Sequence, residues 1–135
     1  MKAAVLIEAG KPLQIEQVNI ANPGPHEVLI RTAACGLCHS DLHFIEGTYP
    51  HPLPAIPGHE AAGIVEAVGA QAKGIAIGDR VGLGWFSGSC MACPSCLSGR
   101  HQLCGTSEQI IVGRHGGFAD KVRANWEWAV KLPAS

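Results

Sequence analysis

The sequence lacks long apolar runs, clusters of like charge, internal repeats and low-complexity tracts. Its N-terminal apolar run, residues 3–7, has only five residues and is too short for a signal sequence or a membrane span. The net charge is −1, and lysine and arginine are scattered along the chain, which argues against nucleic acid or an acidic membrane surface as a partner. These absences predict a soluble, cytoplasmic globular protein whose thiols stay reduced.

Helical periodicity is also missing, whereas glycine and proline are frequent. The 17 glycines and nine prolines divide the 135 residues into short segments, and a chain of this length is typical of one domain. A short helix, capped by Ser40 or Asp41, is predicted to end near Ile45. Six or seven short strands indicate a mainly β fold, either a partly open barrel or a sandwich. The strands are predicted over residues 2–7, 13–20, 27–34, 61–68, 81–83, 116–122 and 128–132.

Four of the six cysteines lie in one loop, residues 88–105. Cys90, Cys93, Cys96 and Cys104 follow the pattern C-x2-C-x2-C-x7-C, and a two-residue gap lets consecutive thiolates turn onto one Zn²⁺ ion about 2.3 Å away. Four thiolates leave no open coordination position, so such a zinc site is structural. Two alternatives are less favoured. A ferredoxin-type iron–sulfur site would place the fourth cysteine after three residues and before a proline, and paired disulfides would need an oxidising compartment.

A second group of metal-ligand and proton-transfer residue types lies in two separate segments. A thiolate and an imidazole from these segments could form part of a catalytic zinc site of the Cys2His type, which needs a third protein ligand. The metalloprotease pattern H-E-x-x-H is not completed, because Gly63 stands where its second histidine should be. Cys35 is predicted to be a small core residue. The residues alone leave a second metal site and a purely structural role equally open. The group comprises Cys38, His39, Ser40, Asp41, His43, His59 and Glu60.

These segments together resemble the zinc-dependent medium-chain alcohol dehydrogenases. The similarity lies in CGLCHSDLH (residues 35–43), PGHEAAGIV (57–65), VG (68–69), GDRV (78–81) and the four-cysteine loop, in register along the chain. It implies the N-terminal catalytic domain of that family, a GroES-like partly open β-barrel with short helices over residues 1–135. The Rossmann domain for NAD(P) would lie outside this chain, because no G-x-G-x-x-G fingerprint is present. The chain is therefore expected to be a domain or truncated product of a longer enzyme, inactive by itself.

The resemblance also implies the ligands of a catalytic zinc, in the Cys2His arrangement known from alcohol dehydrogenases. Cys38 and His59 would bind the metal, and the third ligand, a cysteine, would follow Ser135. Glu60 would be an occasional ligand behind the metal. Asp41 would orient the His59 imidazole.

Roles in catalysis follow from the same resemblance. Ser40 would hold the substrate hydroxyl and pass its proton on, with His43 as the later member of the relay near solvent. His39 would meet the pyrophosphate of the cofactor. Tyr49 and Trp85 would be walls of the alcohol pocket, and two large rings there would favour small primary alcohols.

The implied activity is oxidation of a primary alcohol to an aldehyde, with hydride transfer to NAD(P) and with zinc lowering the pKa of the alcohol. The full-length enzyme would be a homo-oligomer, a dimer or a tetramer. The alternative function is a non-catalytic zinc-binding scaffold module; a zinc-ribbon nucleic-acid binder is disfavoured by the charge balance. Residues predicted to have no site role are Trp126 and Trp128, which pack, and four histidines that lie in loops without a partner pattern in the sequence and are predicted to be solvated: His26, His51, His101 and His115.

Overall fold

The computed structural model describes residues 1–133 and consists mainly of short antiparallel strands. Two short α-helices and two single turns of 3₁₀ helix, His101–Leu103 and Trp126–Trp128, interrupt them. The α-helices are α1 (His39–Glu46) and α2 (Pro94–Leu97). The strands are β1 (Lys2–Val5), β2 (Gln14–Gln17), β3 (Glu27–Cys35), β4 (Ala61–Val68), β5 (Arg80–Gly82), β6 (Phe86–Gly88), β7 (Glu108–Gln109), β8 (Lys121–Asn125) and β9 (Val130–Lys131).

The core lies on one face of a five-stranded antiparallel sheet with the order β8–β3–β4–β5–β9. Alternate residues of its strands are apolar and buried, as the period of two in a half-buried strand requires. Within residues 1–133 the edge strands β8 and β9 do not pair with each other, so the barrel remains open. The predicted GroES-like, partly open β architecture is therefore confirmed. The buried core residues are Val28, Ile30, Ala61, Val65, Val81, Leu83, Val122 and Ala124.

The alternating pattern of residues 13–20 predicts a half-buried strand, and this prediction is wrong about burial. Only Gln14–Gln17 forms a strand, and all four of its residues are exposed, including Ile15 at 73%. β2 pairs with β1 in a separate two-stranded sheet. Alternation identifies a strand, but it does not tell whether another layer of the protein covers the apolar face.

The last two predicted strands are shorter than expected. The amides of Gly116, Gly117 and Phe118 donate to the carbonyls of Ile56, Gly58 and Pro57 (2.7, 2.7 and 3.0 Å), so this segment packs on the loop before His59 and β8 begins only at Lys121. Residues 126–128 form a 3₁₀ turn, and only Val130–Lys131 is a strand.

The two tryptophans of the 3₁₀ turn pack, as predicted. Trp126 is half-buried against the core of the main sheet. Trp128 lies with its ring centroid 6.2 Å from that of Phe86. Neither ring therefore needs a role in a binding site to explain its position.

Helix α1 begins two or three residues earlier than its sequence predicts. Its N-cap is Cys38, in an extended conformation, and not Ser40 or Asp41. Asp41 instead occupies the third helical position, and its Oδ2 accepts a hydrogen bond from the Cys38 amide (3.0 Å), as the acidic residue of a capping box does. The helix ends at Gly47, which adopts a left-handed φ of 85°, a conformation that glycine takes without strain. Among residues 1–133 no helix is long and apolar enough to cross a membrane.

A partly buried ion pair connects the start of β3 to β7. The Arg114 guanidinium contacts carboxylate oxygens of Glu27 and Glu108, and the side chains of Arg114 and Glu27 are only 17% and 15% exposed. Burial acts to raise the pKa of Glu27, but the hydrogen bond from the Gly24 amide (2.8 Å) and the Arg114 guanidinium together hold that pKa below its ordinary value of 4.5.

We expect Glu27→Gln to lower the free energy of unfolding by about 2 kcal/mol at pH 7, because a charge-assisted hydrogen bond is lost in a partly buried position. A carboxylate with a lowered folded-state pKa contributes its full stabilisation above the unfolded value, and the contribution is lost as the pH falls through the folded value. The difference between wild type and variant should therefore shrink as the pH falls from the ordinary value of 4.5 through the lowered folded-state pKa of this carboxyl. Urea unfolding at several pH values measures it, with the exposed Glu16→Gln as the control. A difference that does not depend on pH would contradict the ion-pair explanation.

Candidate metal centres and substrate cavity

The loop of residues 88–105, the cysteine lobe, connects β6 to β7 and brings its four thiols together. The ligand atoms of Cys90, Cys93, Cys96 and Cys104 all lie within 4.8 Å of one another. The Cys96 Sγ is 3.6 Å from the Cys93 Sγ and 3.9 Å from the Cys90 Sγ. A tetrahedral ion with metal–sulfur bonds of about 2.3 Å needs sulfur–sulfur edges of about 3.8 Å. The lobe therefore fits a single tetrahedral ion such as Zn²⁺, whereas a multi-iron cluster would hold its cysteines further apart.

Backbone amides favour the thiolate form of two of these cysteines. The Cys90 amide donates to the Cys104 Sγ (3.5 Å), and this bond, followed by those from Thr106, lowers the pKa of Cys104 to about 6. The amides of Ala92 and Cys93 lower the pKa of Cys90. The thiolate is the form that binds metal. All six cysteines are free thiols, so the disulfide alternative finds no support.

A second group of ligand atoms forms where the end of β3 meets the start of β4. Cys38, His59 and Glu60 each offer one ligand atom, and these atoms lie within 4.8 Å of one another. Cys38 is half-buried and His59 is 7% exposed, whereas Glu60 is exposed. Gly58 makes the approach possible, because it has a φ of 94° and a Cβ there would lie 2.5 Å from the Phe118 ring. The sequence-predicted ligands therefore converge, with the soft and borderline donors that suit Zn²⁺.

Asp41 joins the two ligand segments. It is fully buried, and its Oδ1 accepts hydrogen bonds from the Gly58 amide (3.1 Å) and the His59 Nδ1 (3.2 Å), while its Oδ2 accepts from the Cys38 amide (3.0 Å). A carboxylate only accepts, so the Nδ1 atom of His59 carries the proton. Its Nε2 lone pair is then free for a metal, which is the usual relation between a carboxylate, a histidine and a zinc ion.

We expect Asp41→Asn to weaken zinc binding at Cys38 and His59 by about 10–100-fold, because the amide no longer fixes the tautomer and the orientation of the imidazole. Chelator competition on the zinc-loaded protein measures the effect. The cysteine lobe should keep its metal in the same samples and serves as the internal reference. The exposed Asp120→Asn is the matched control, and equal zinc affinity in the two variants would contradict the orienting role.

A cavity of about 370 Å³ opens beside this ligand group. Its lining residues are Ser40, Phe44, Tyr49, His59 and Trp85. His59 is thus a member of both the ligand group and the cavity wall, and its ring meets the Trp85 ring edge-on at 5.2 Å. Ser40 adds a hydroxyl to an otherwise aromatic wall. The arrangement can hold a small molecule with one polar end next to the ligands and an apolar remainder between the rings.

The remaining predicted residues lie behind or beside the cavity. The His43 ring centroid is 4.8 Å from that of His39 and 5.0 Å from that of Tyr49, and the His43 Nδ1 is buried with no hydrogen-bond partner among the described residues. His39 is exposed at the first position of α1. Phe44, which lines the cavity, is the residue that the sequence analysis missed. Its spacing of four residues after Ser40 on the predicted helix was the available signal.

Cys35 is not a member of either ligand group among residues 1–133. It packs half-buried against the core of the main sheet, and burial raises the pKa of its thiol. These observations agree with the predicted packing role.

Two of the histidines predicted to be solvated have partners. The His51 Nδ1 donates to the Tyr49 carbonyl (3.1 Å). The His101 Nδ1 is 3.2 Å from the Ser89 Oγ, and its ring meets the Trp128 ring edge-on at 5.7 Å. The prediction failed because both partners come from the folding of the loops themselves, which has no pattern in the sequence.

A larger cavity, about 530 Å³, lies away from both ligand groups and contains none of the predicted site residues. His115 lines it and accepts a hydrogen bond from the Ile56 amide (3.4 Å), so this histidine is not free of partners either. Burial and then Arg123 lower the pKa of His115. His26 is exposed, as predicted.

Comparison with known proteins agrees with this geometry. Residues 24–134 match the alcohol dehydrogenase GroES-like domain family, and the chain belongs to that family. Aldehyde reductase AdhA of Synechocystis sp. is 47% identical over 134 residues, which are 98% of this chain and 40% of that protein. An alcohol dehydrogenase of Geobacillus stearothermophilus is 42% identical over 98% of this chain and 40% of its own length. The chain thus spans about 40% of the length of these curated relatives.

Among solved structures, the cobalt- and zinc-bound thermostable alcohol dehydrogenase from Pyrobaculum aerophilum superposes with a TM-score of 0.92. It is 33% identical, and the match covers 99% of this chain and 41% of that one. Both the fold and the metal-ligating residue types therefore agree with the assignment of this chain to the alcohol dehydrogenase GroES-like domain family.

Proposed function

We propose that this chain is the GroES-like catalytic domain, residues 1–135, of a zinc-dependent, NAD(P)-dependent alcohol dehydrogenase that interconverts primary alcohols and aldehydes. The observation that best supports this is the position of His59. Its imidazole belongs at once to the Cys38–His59–Glu60 ligand group and to the wall of the cavity that holds Ser40. A substrate hydroxyl in this cavity would lie next to both the metal ligands and a proton-transfer group.

Two zinc ions fit the ligand sets. The four thiols of the cysteine lobe would hold a structural ion, and Cys38 and His59, with Glu60 as an occasional ligand, would hold a catalytic one. When bound there, zinc acts as a Lewis acid that lowers the pKa of the substrate hydroxyl. Two protein ligands from this chain, with Glu60 at best a third, leave room in the coordination sphere, as a catalytic site requires.

The chain's own residues bind the substrate and move its proton. Tyr49 and Trp85 enclose the apolar part of the alcohol and exclude water from it. The Ser40 hydroxyl would accept the substrate proton as it gives up its own, and His43, beside Tyr49, would be the later member of this relay toward solvent. Asp41 keeps His59 in the tautomer and orientation that a metal needs.

The nicotinamide cofactor would be bound through a Rossmann domain outside this chain. His39 is exposed at the N-terminus of α1, where partial positive charge attracts phosphate, and we assign it to the cofactor pyrophosphate. The complete enzyme would be a cytoplasmic homo-oligomer, dimeric or tetrameric. Nucleic acid and membranes are not expected as partners, because the net charge is −1 and lysine and arginine are scattered.

The test is alcohol oxidation by the complete enzyme with NAD or NADP, with zinc measured on the same samples. We expect reduction of the nicotinamide by short primary alcohols, loss of activity on chelation, and recovery with zinc. Absence of turnover with either cofactor and any primary alcohol, at full zinc content, would overturn the proposal in favour of a zinc-binding scaffold module.

A further inference from the structure

We propose that Phe44 is the residue that sets the substrate-size limit of this cavity, a specificity-determining position behind the two walls. The inference deepens the proposed function and rests on it. Phe44 lines the cavity although it is only 4% exposed. It lies four residues after Ser40 in α1, and residues at this spacing share one face of a helix. The serine that would take the substrate proton and the ring that limits substrate length therefore come from the same face.

One phenylalanine ring touches both walls. The Phe44 ring is stacked on that of Trp85, with centroids 5.6 Å apart and an interplanar angle of 29°, and it meets Tyr49 edge-on at 5.5 Å. Aromatic pairs in these geometries are favourable beyond their buried area. The separation between Tyr49 and Trp85 is thus fixed by a side chain that fills the space between them.

A third ring holds the Tyr49 segment in place. His51 meets Phe44 edge-on with centroids 5.2 Å apart, and its Nδ1 donates to the Tyr49 carbonyl (3.1 Å). Because His51 binds the backbone of Tyr49 and packs on Phe44, removal of the Phe44 ring would loosen this wall as well as deepen the cavity.

Two buried isoleucines also hold the Phe44 ring in place. Ile110 and Ile111 are 1% and 3% exposed and pack with Phe44 and Trp85 in one cluster. The Ile110 amide donates to the Trp85 carbonyl (3.0 Å). Ile111 has a φ of 77°, which is strained for a β-branched residue and persists only where the surroundings over-determine it. These contacts keep the Phe44 ring at the wall of the cavity. A smaller side chain at position 44 should therefore enlarge the cavity, and a larger one should reduce it.

The experiment measures binding and not turnover. The zinc-loaded complete enzyme is titrated with primary alcohols from ethanol to octanol, and the indole N–H signal of Trp85 is followed by NMR. Wild type should prefer the short alcohols. Phe44→Leu should shift the ratio of octanol to ethanol affinities by about 10-fold or more toward the long alcohol, because a pocket discriminates about 10–200-fold for each methylene that it must accommodate.

The matched control is Phe86→Leu, which removes a ring that packs on Trp128 and does not line the cavity, and it should leave the preference unchanged. Phe44→Trp keeps a large ring and should reject the long alcohols further, so the inference stays testable if Phe44→Leu does not fold.

Failure of the proposed function and failure of the role of Phe44 give different results in this experiment. No response of the Trp85 signal to any alcohol in wild type would overturn the cavity as the substrate site, and with it the proposed function. Binding with the same preference in wild type, Phe44→Leu and Phe44→Trp would overturn the role of Phe44 alone.

Discussion

Ser40→Ala is expected to lower kcat of the complete enzyme by about 10²–10⁴-fold, the usual contribution of a positioned proton-transfer group. Ser40 lines the cavity together with His59, but it is not a member of the Cys38–His59–Glu60 ligand group. The variant should therefore lose proton transfer without losing zinc. Its fold should also survive, because Cys38 is the N-cap of α1 and Ser40 does not fill that position.

Steady-state alcohol oxidation, with the zinc content of the same samples, measures this effect. Ser40→Thr is the matched variant: it keeps a hydroxyl at the same position of the helix and should preserve most of the activity. If Ser40→Ala retains nearly the kcat of wild type with its zinc intact, the hydroxyl has no role in proton removal. Ser40 would then be an ordinary residue of the first turn of α1.

The part of the site that local spacing determines could be predicted from the residues alone. The four cysteines lie within 15 residues of one another, so the gaps between them restrict the geometry, and the thiols do converge to edges of 3.6–3.9 Å. Cys38 and His59 are 21 positions apart and on different segments. Their approach depends on where β3 ends and β4 begins, and only the family resemblance predicted it.

The predictions that failed concern positions where tertiary packing overrides a local preference. Ser40 and Asp41 are good N-cap types, but the Asp41 carboxylate binds between Cys38 and His59, and the helix begins two or three residues earlier. Phe44 looks like any core aromatic in the sequence. Its contacts with Tyr49, His51 and Trp85 come from two segments, the loop after α1 and the segment just before β6, whose relative positions no period encodes.

Cys96→Ser should remove the metal from the cysteine lobe and disorder residues 88–105, while the five-stranded sheet remains folded. Cys96 is buried, and its Sγ is the one close to those of both Cys90 and Cys93, so its loss opens the middle of the ligand set. Structural zinc sites contribute about 10–16 kcal/mol in small zinc-finger peptides near pH 7. The lobe has little else to hold it, because its large apolar side chains are exposed rather than packed: Met91, Leu97 and Leu103.

The main sheet should stay folded when the lobe becomes disordered, because the core formed by β3, β4, β5 and β8 contains no residue of the lobe. Elemental analysis and amide hydrogen exchange together measure the outcome. Exchange should rise to the unprotected rate over 88–105 and stay slow in β3 and β4.

The matched control is Cys35→Ser, which removes a thiol from outside both ligand groups and should leave the metal content unchanged. The metal itself should be colourless, as d¹⁰ Zn²⁺ is; iron with visible absorption would reject a zinc site. Loss of zinc from Cys35→Ser would instead show that this thiol is a ligand, and it would contradict the packing role of Cys35. If Cys96→Ser keeps both its metal and its protected amides, three thiolates are enough and the fourth cysteine position does not decide the order of the lobe.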